Sequence, residues 1–298
     1  MTASQPTRRL SPAGIPYADF GGQGPLLHFA HANGFPPGTY NGFLQPFTQR
    51  YRVLGMECRA LWGTHSPAQF RHWRELAEDL ARFLDETNLH GCIGVGHSLG
   101  AVTSLFCAAQ HPGVFRALVL IDPVILPAQV APIWAAAIAL GLNRRAHLPS
   151  RTHRRHMVWP SRRALVRAYR TAPVFRLWQD PFLSDYVEAV AEDVPDGSVR
   201  LRYPREWEAR IFETAPPDSW LYMRRVRAVP MLVLRGQHSA TFTASAMRLM
   251  RCLLPRGKFV TIPEADHFVP MSQPDEAAAA MWAFLGSLDG TATPHLTG

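Results

Sequence analysis

The chain has 298 residues, 47% of them hydrophobic and 18% charged, which provides for one large buried core, or a core with an insertion, and excludes a disordered chain. Arg8 and Arg9 lead into no apolar run of the secretory kind, Ile125 to Leu142 is broken by Pro127, Gln129 and Pro132, and the four cysteines form no Cys-x-x-Cys pair. These features point away from a signal peptide and a transmembrane span and toward a reducing cytoplasm. The net charge of +8 is local: no carboxylate lies between Asp122 and Asp180, whereas Arg144, Arg145, Arg151, Arg154, Arg155, Arg162, Arg163, Arg167, Arg170 and Arg176 do.

In chain order, Leu10 to Phe20 reads as a strand pair turning at Ser11 to Gly14, and Leu26 to Ala30 as a short buried strand. The loop His31-Ala32-Asn33-Gly34-Phe35-Pro36-Pro37 follows, then a helix over Tyr40 to Arg50, a strand over Arg52 to Met56, and a loop in which Trp62 is a candidate pocket wall. Leu76, Leu80, Phe83 and Leu84 recur at helical spacing within Trp73 to Thr87 and predict a helix that covers a sheet. The apolar run Cys92, Ile93, Val95 enters Gly96-His97-Ser98-Leu99-Gly100 and a helix over Ala101 to Gln110. Arg116 to Ile121 is a near-continuous apolar run of parallel-strand type that ends at Asp122. From Pro123 to Arg227 the strand period lapses into helical pieces (Pro132 to Leu142, Ser161 to Arg170, Tyr186 to Glu192) between proline turns, with many aromatic residues. Strands over Pro230 to Arg235 and Lys258 to Ile262, helices over Ala244 to Leu254 and Asp275 to Leu288, and a loose tail to Gly298 complete the prediction. Strand and helix alternating in this way predict an α/β fold with a mostly parallel, doubly wound sheet. Residues 1–122 and 228–298 form its core, and 123–227 a helical cap.

Gly-x-Ser-x-Gly between a strand and a helix has a mechanical reading. The serine sits on a sharp turn, only small residues fit two positions to either side, and the helix N-terminus presents free N–H groups to a reacting oxygen. Ser98 is then the nucleophile and the Leu99 N–H one oxyanion donor. The second donor comes from the loop after Ala30: the N–H of Asn33 in one alignment, of Phe35 in another.

These residues, with the loop His31 to Pro37 and the stretch Trp159-Pro160-Ser161-Arg162, resemble the α/β-hydrolase superfamily, and within it a group of capped bacterial serine hydrolases. The resemblance runs from about Tyr17 to Leu288. It implies the order nucleophile, acid, histidine. His267, in the loop directly after the last strand, is the implied general base. The turn after Arg235 holds Ser239 and Ala240 where the acid usually stands, so the implied acid is Asp122, at the superfamily's alternative site. Asp266, adjoining His267, is a weaker choice. Substrate-pocket candidates are His31, Phe35, His97, Trp134, Trp159 and Phe268.

The resemblance implies cleavage of a carboxylic ester through an acyl-enzyme, without cofactor or metal. The aromatic cap and the apolar Pro132 to Leu142 helix point to a small-molecule ester with an apolar acyl group, medium-chain or aromatic. Thioesterase, lactonase and carbon–carbon hydrolase chemistry would use the same residues. A non-catalytic ligand binder, its triad lost at Ala240, is the contrasting expectation. The arginine-rich stretch reads first as the solvated face of an inserted helical domain, with peripheral contact with an anionic surface as the alternative; nucleic acid is not expected as a partner.

Overall fold

Short apolar runs pair edge to edge when helices cover both faces, and this chain supplies such runs throughout. The computed structural model describes residues 5–290. The expected loose tail falls on residues 291–298, outside the described ones. In chain order the strands are β1 (Thr7–Leu10), β2 (Pro16–Gly21), β3 (Leu26–Ala30), β4 (Arg52–Met56), β5 (Cys92–His97), β6 (Phe115–Ile121), β7 (Val158–Trp159), β8 (Ala191–Asp193), β9 (Val199–Leu201), β10 (Met231–Gly236) and β11 (Lys258–Ile262). Eight of them form one sheet in the order β1-β2-β4-β3-β5-β6-β10-β11. The pairs β1–β2 and β2–β4 are antiparallel, and every pair from β4–β3 onward is parallel.

β5 lies near the middle of the sheet, and all its residues are buried. The helix Leu99–Gln110 that follows is buried from Leu99 to Ala109, so strand and helix are core on every side. Helix Arg74–Glu86 buries Leu76, Leu80, Phe83 and Leu84 against the sheet, as their spacing predicts. No helix among the described residues is long and apolar enough to cross a membrane.

Two local expectations are corrected. The helix expected over Tyr40 to Arg50 is broken into a 3-10 turn (Pro37–Tyr40), one α-turn (Asn41–Leu44) and a second 3-10 turn (Gln45–Gln49). Pro46 has no N–H to give to the carbonyl four residues back, so the α-helix cannot continue. The segment 123–227, expected to be helical, also carries a three-stranded antiparallel sheet, β7-β9-β8. The helix expected over Tyr186 to Glu192 is Phe182–Val190, and its last expected residues belong to β8. This segment leaves from the carboxyl end of β6, and its Tyr203 and Glu208 bond to Asn33 in the loop after β3, so it stands over the carboxyl ends of the parallel strands. Ligands bind at that edge in open α/β sheets.

Candidate active site

Between β5 and its helix the backbone makes one strained residue, Ser98, with φ 57° and ψ −113°. Such a conformation is costly for a side chain other than glycine and persists only where the surroundings hold it. The surroundings are two glycines. A Cβ on Gly96 would lie 2.4 Å from the Gly100 carbonyl oxygen, and one on Gly100 would lie 2.0 Å from that of Ala30. The turn therefore closes only with glycine at both positions. The Ser98 N–H donates to the Ile121 carbonyl at 3.0 Å, fixing the serine beside the end of β6. Leu99 opens the helix, so its N–H has no acceptor within the helix.

His267 comes from the loop after β11, and its Nε2 lies 2.9 Å from Ser98 Oγ. Its Nδ1 lies 2.7 Å from Asp122 Oδ1. With Nδ1–H donating to the carboxylate, the Nε2 lone pair faces the serine hydroxyl. Asp122 is wholly buried, and its oxygens are satisfied from β10 as well: the Ser239 hydroxyl donates to Oδ1 at 2.6 Å and the Gly236 N–H to Oδ2 at 2.8 Å. The structure thus brings Ser98, His267 and Asp122 into one line. Asp266 faces elsewhere, its carboxylate accepting from the Phe268 N–H at 2.8 Å.

The pocket candidates separate. Phe35 and Phe268 meet at a ring distance of 5.0 Å, and Phe268 lies 5.2 Å from the His267 ring. Trp178 and Tyr186 join them, Trp178 at 5.3 Å from Phe268 and Tyr186 at 5.0 Å from Phe35. In the sequence these two are unremarked among the many aromatic residues of the insertion; their helical and loop surroundings give no spacing that singles them out. The other four candidates are corrected. His97 is wholly buried, with Nδ1 accepting from the Tyr40 hydroxyl at 2.8 Å and Nε2–H donating to the His267 carbonyl at 2.9 Å. Burial, helped by the charge of neighbouring His267, lowers its pKa to about 3, so the ring is a neutral brace beneath the site. His31 donates to the Ala32 carbonyl at 2.8 Å and accepts from the Cys58 N–H at 3.0 Å; burial lowers its pKa to about 4. Neither ring has a nitrogen left for a substrate. Trp134 donates to the Ala215 carbonyl at 2.8 Å, and Trp159 packs on His156 and Tyr169, so both serve the insertion's own packing. Trp62, the candidate pocket wall, donates to the Glu57 carbonyl at 2.7 Å and lies under Arg82.

The loop after β3 is held from above. Asn33 donates through Nδ2 to the Glu208 carbonyl and accepts on Oδ1 from the Tyr203 hydroxyl, each at 2.9 Å. Gly34, at φ 84°, passes so close to Glu208 that a Cβ would lie 2.9 Å from its carboxylate. The Phe35 N–H closes a turn onto the Ala32 carbonyl at 3.1 Å and is therefore committed, which favours Asn33 of the two alignments. Neither Tyr203 nor Glu208 carries a sequence signal for this role, since each is separated from Asn33 by most of the chain.

The profile of the alpha/beta hydrolase family matches residues 29–280. The 2-(acetamidomethylene)succinate hydrolase of Mesorhizobium japonicum is 24% identical over 270 residues, covering 89% of this chain and 89% of its own length. The sn-1-specific diacylglycerol lipase ABHD11 of Mus musculus is 24% identical over 264 residues, 88% of this chain and 81% of its own. Among solved structures, E-2-(acetamidomethylene)succinate hydrolase superposes with a TM-score of 0.77 at 21% identity, over 94% of this chain and 98% of the other. At that identity the likeness speaks for the fold.

Proposed function

The chain belongs to the alpha/beta hydrolase family, and from that premise we propose that it is a serine hydrolase cleaving a carboxylic ester through an acyl-enzyme. One observation carries the reading: a strained serine 2.9 Å from a histidine that is itself 2.7 Å from a buried carboxylate. Ser98 Oγ attacks the ester carbonyl while its proton passes to His267 Nε2. Asp122 keeps the proton on Nδ1 and stabilises the imidazolium that forms. The N–H groups of Leu99 and Asn33 hold the oxyanion of the tetrahedral intermediate, which collapses as Nε2 returns the proton to the leaving alcohol. Water, activated by the same histidine, then releases the acid and restores Ser98. The cap would close the acyl site with Phe35, Trp178, Tyr186 and Phe268, an aromatic wall that favours an apolar acyl group of medium length or an aromatic one.

The test is hydrolysis of p-nitrophenyl butyrate together with labelling by a fluorophosphonate. Ser98→Ala and His267→Ala should fall to background, and Asp122→Asn should lose about 10⁴-fold in kcat. Wild type should carry the label on Ser98 and His267→Ala should not. A folded wild type that neither turns over the ester nor takes the label would overturn the assignment and favour a ligand binder.

A further inference from the structure

Large apolar side chains open to solvent are concentrated in one part of the insertion. Ile133 is 71% exposed and Leu140 72%, with Val130, Leu142 and Leu148 beside them in the chain. Ile133 lies on helix Ala131–Ala139, in which alanine, isoleucine and tryptophan take every position but one proline, and of which only Ala131 is buried. A helix apolar all round belongs in a core or a membrane, not on a surface facing water. This one is tied down by the Trp134 bond to Ala215, and its residues Pro132, Ile133, Ala136 and Ala139 are exposed.

Cations follow directly in the chain. Arg145, Arg151 and Arg154 are exposed, and among the described residues none has a carboxylate partner, while Arg144 reaches Glu213 only at 3.9 Å. Elsewhere in the insertion Arg155, Arg162 and Arg170 are paired with Glu208, Asp193 and Asp180. Arg163, Arg167 and Arg176, by contrast, are exposed and, among the described residues, have no carboxylate partner, so uncompensated positive charge runs on from the apolar helix through the following segment. Two separate features, apolar exposure and uncompensated positive charge, thus follow one another in the chain on exposed residues.

We propose that helix Ala131–Ala139 and the arginines after it dock the protein on an anionic lipid surface. Apolar side chains enter the boundary between headgroups and acyl chains, and guanidinium groups bind the phosphates around them. Nucleic acid would satisfy the arginines and leave Ile133 and Leu140 in water. A second copy of the chain would cover the apolar face but bring like charges together. The proposal stands apart from the chemistry at Ser98.

Sedimentation with vesicles of phosphatidylcholine, alone or mixed with phosphatidylglycerol, tests it. Wild type should sediment with the mixed vesicles and be released by salt. Arg145→Gln/Arg151→Gln/Arg154→Gln should bind about 100-fold more weakly, at about fivefold per guanidinium. Ile133→Asp/Leu140→Asp should lose at least about tenfold even at low salt. Both variants should melt with wild type, since every altered side chain is exposed. Absence of sedimentation, or equal sedimentation on both vesicle types, would overturn the proposal. So would tighter salt-sensitive retention on DNA, or a dimer that Leu140→Asp dissociates without vesicle binding.

Discussion

Ser239 occupies the loop after β10 where the resemblance led to the expectation of the acid, and its hydroxyl reaches Asp122, which follows the neighbouring strand β6. It accepts from the Thr241 and Phe242 N–H groups at 3.2 and 3.1 Å and donates to Asp122 Oδ1 at 2.6 Å. Its lone pairs are held by the backbone, so its proton has one direction to go. A hydrogen bond to a charged acceptor contributes about 1.5–3 kcal/mol. Ser239→Ala should lower kcat on p-nitrophenyl butyrate by about tenfold with KM little changed, and Ser239→Thr should recover most of it. Equal kinetics for Ser239→Ala and wild type would mean the hydroxyl does not position Asp122. At the same scale, burial pushes the Cys58 thiol up to about 11 and Cys92 to about 12, while Cys252 is exposed. Thiolate is the reactive form. Iodoacetamide near pH ~8 should therefore add to Cys252 alone in the native protein, and to all four cysteines in denaturant, as read by mass spectrometry.

The elements around Ser98 are set by backbone proximity, and here the sequence was legible. Glycines two positions either side of a serine predicted the tight turn, and the uninterrupted run Ala117 to Ile121 predicted a strand buried on both faces. Gly100→Ala would place a methyl 2.0 Å from a backbone oxygen that cannot turn away, so denaturant melts should show a loss of about 3 kcal/mol, the upper range for overpacking. What the sequence did not disclose is shorter or longer in range than a periodicity. β7, β8 and β9 have two or three residues each, too few to alternate, and Tyr203 meets Asn33 only once the insertion folds back over β3. Asp122 enters through the resemblance, as the alternative acid site at the end of the strand after the nucleophile helix, and the structure sets its carboxylate 2.7 Å from His267. The Tyr203 contact makes a further prediction. Tyr203→Phe frees one side of Asn33 and should lower kcat by about tenfold while KM stays within about twofold, because a displaced N–H weakens the transition state more than the ground state. A matching rise in KM with kcat unchanged would place Tyr203 in substrate binding instead.

Across the whole molecule, three buried histidines sit where β3 and β5 meet the site, and together they set its response to acid. His28 is lowered to about 3 by burial and then by His31, His31 to about 4 by burial, and His97 to about 3 by burial and then by His267. In the unfolded chain each would bind a proton near 6.5. Below that pH the unfolded state therefore takes up protons that the folded state refuses, and stability must fall as pH falls from about 6.5 toward about 4. Ordinary carboxylates are ionised in both states above about pH 5, so the upper part of this window reports the histidines. With three groups acting, the slope approaches about 4 kcal/mol per pH unit, a large share of the about 5–15 kcal/mol by which folded domains are stable. Denaturant melts between about pH 5 and 6.5 should show this loss, reversible on return to neutral pH. His31→Gln, which keeps a donor and an acceptor near Ala32 and Cys58, should reduce the slope by about one proton's worth. A stability that stays level across that window would mean the three rings accept protons within the fold, and that the brace from Tyr40 through His97 to the His267 backbone is looser than its distances of 2.8 and 2.9 Å imply.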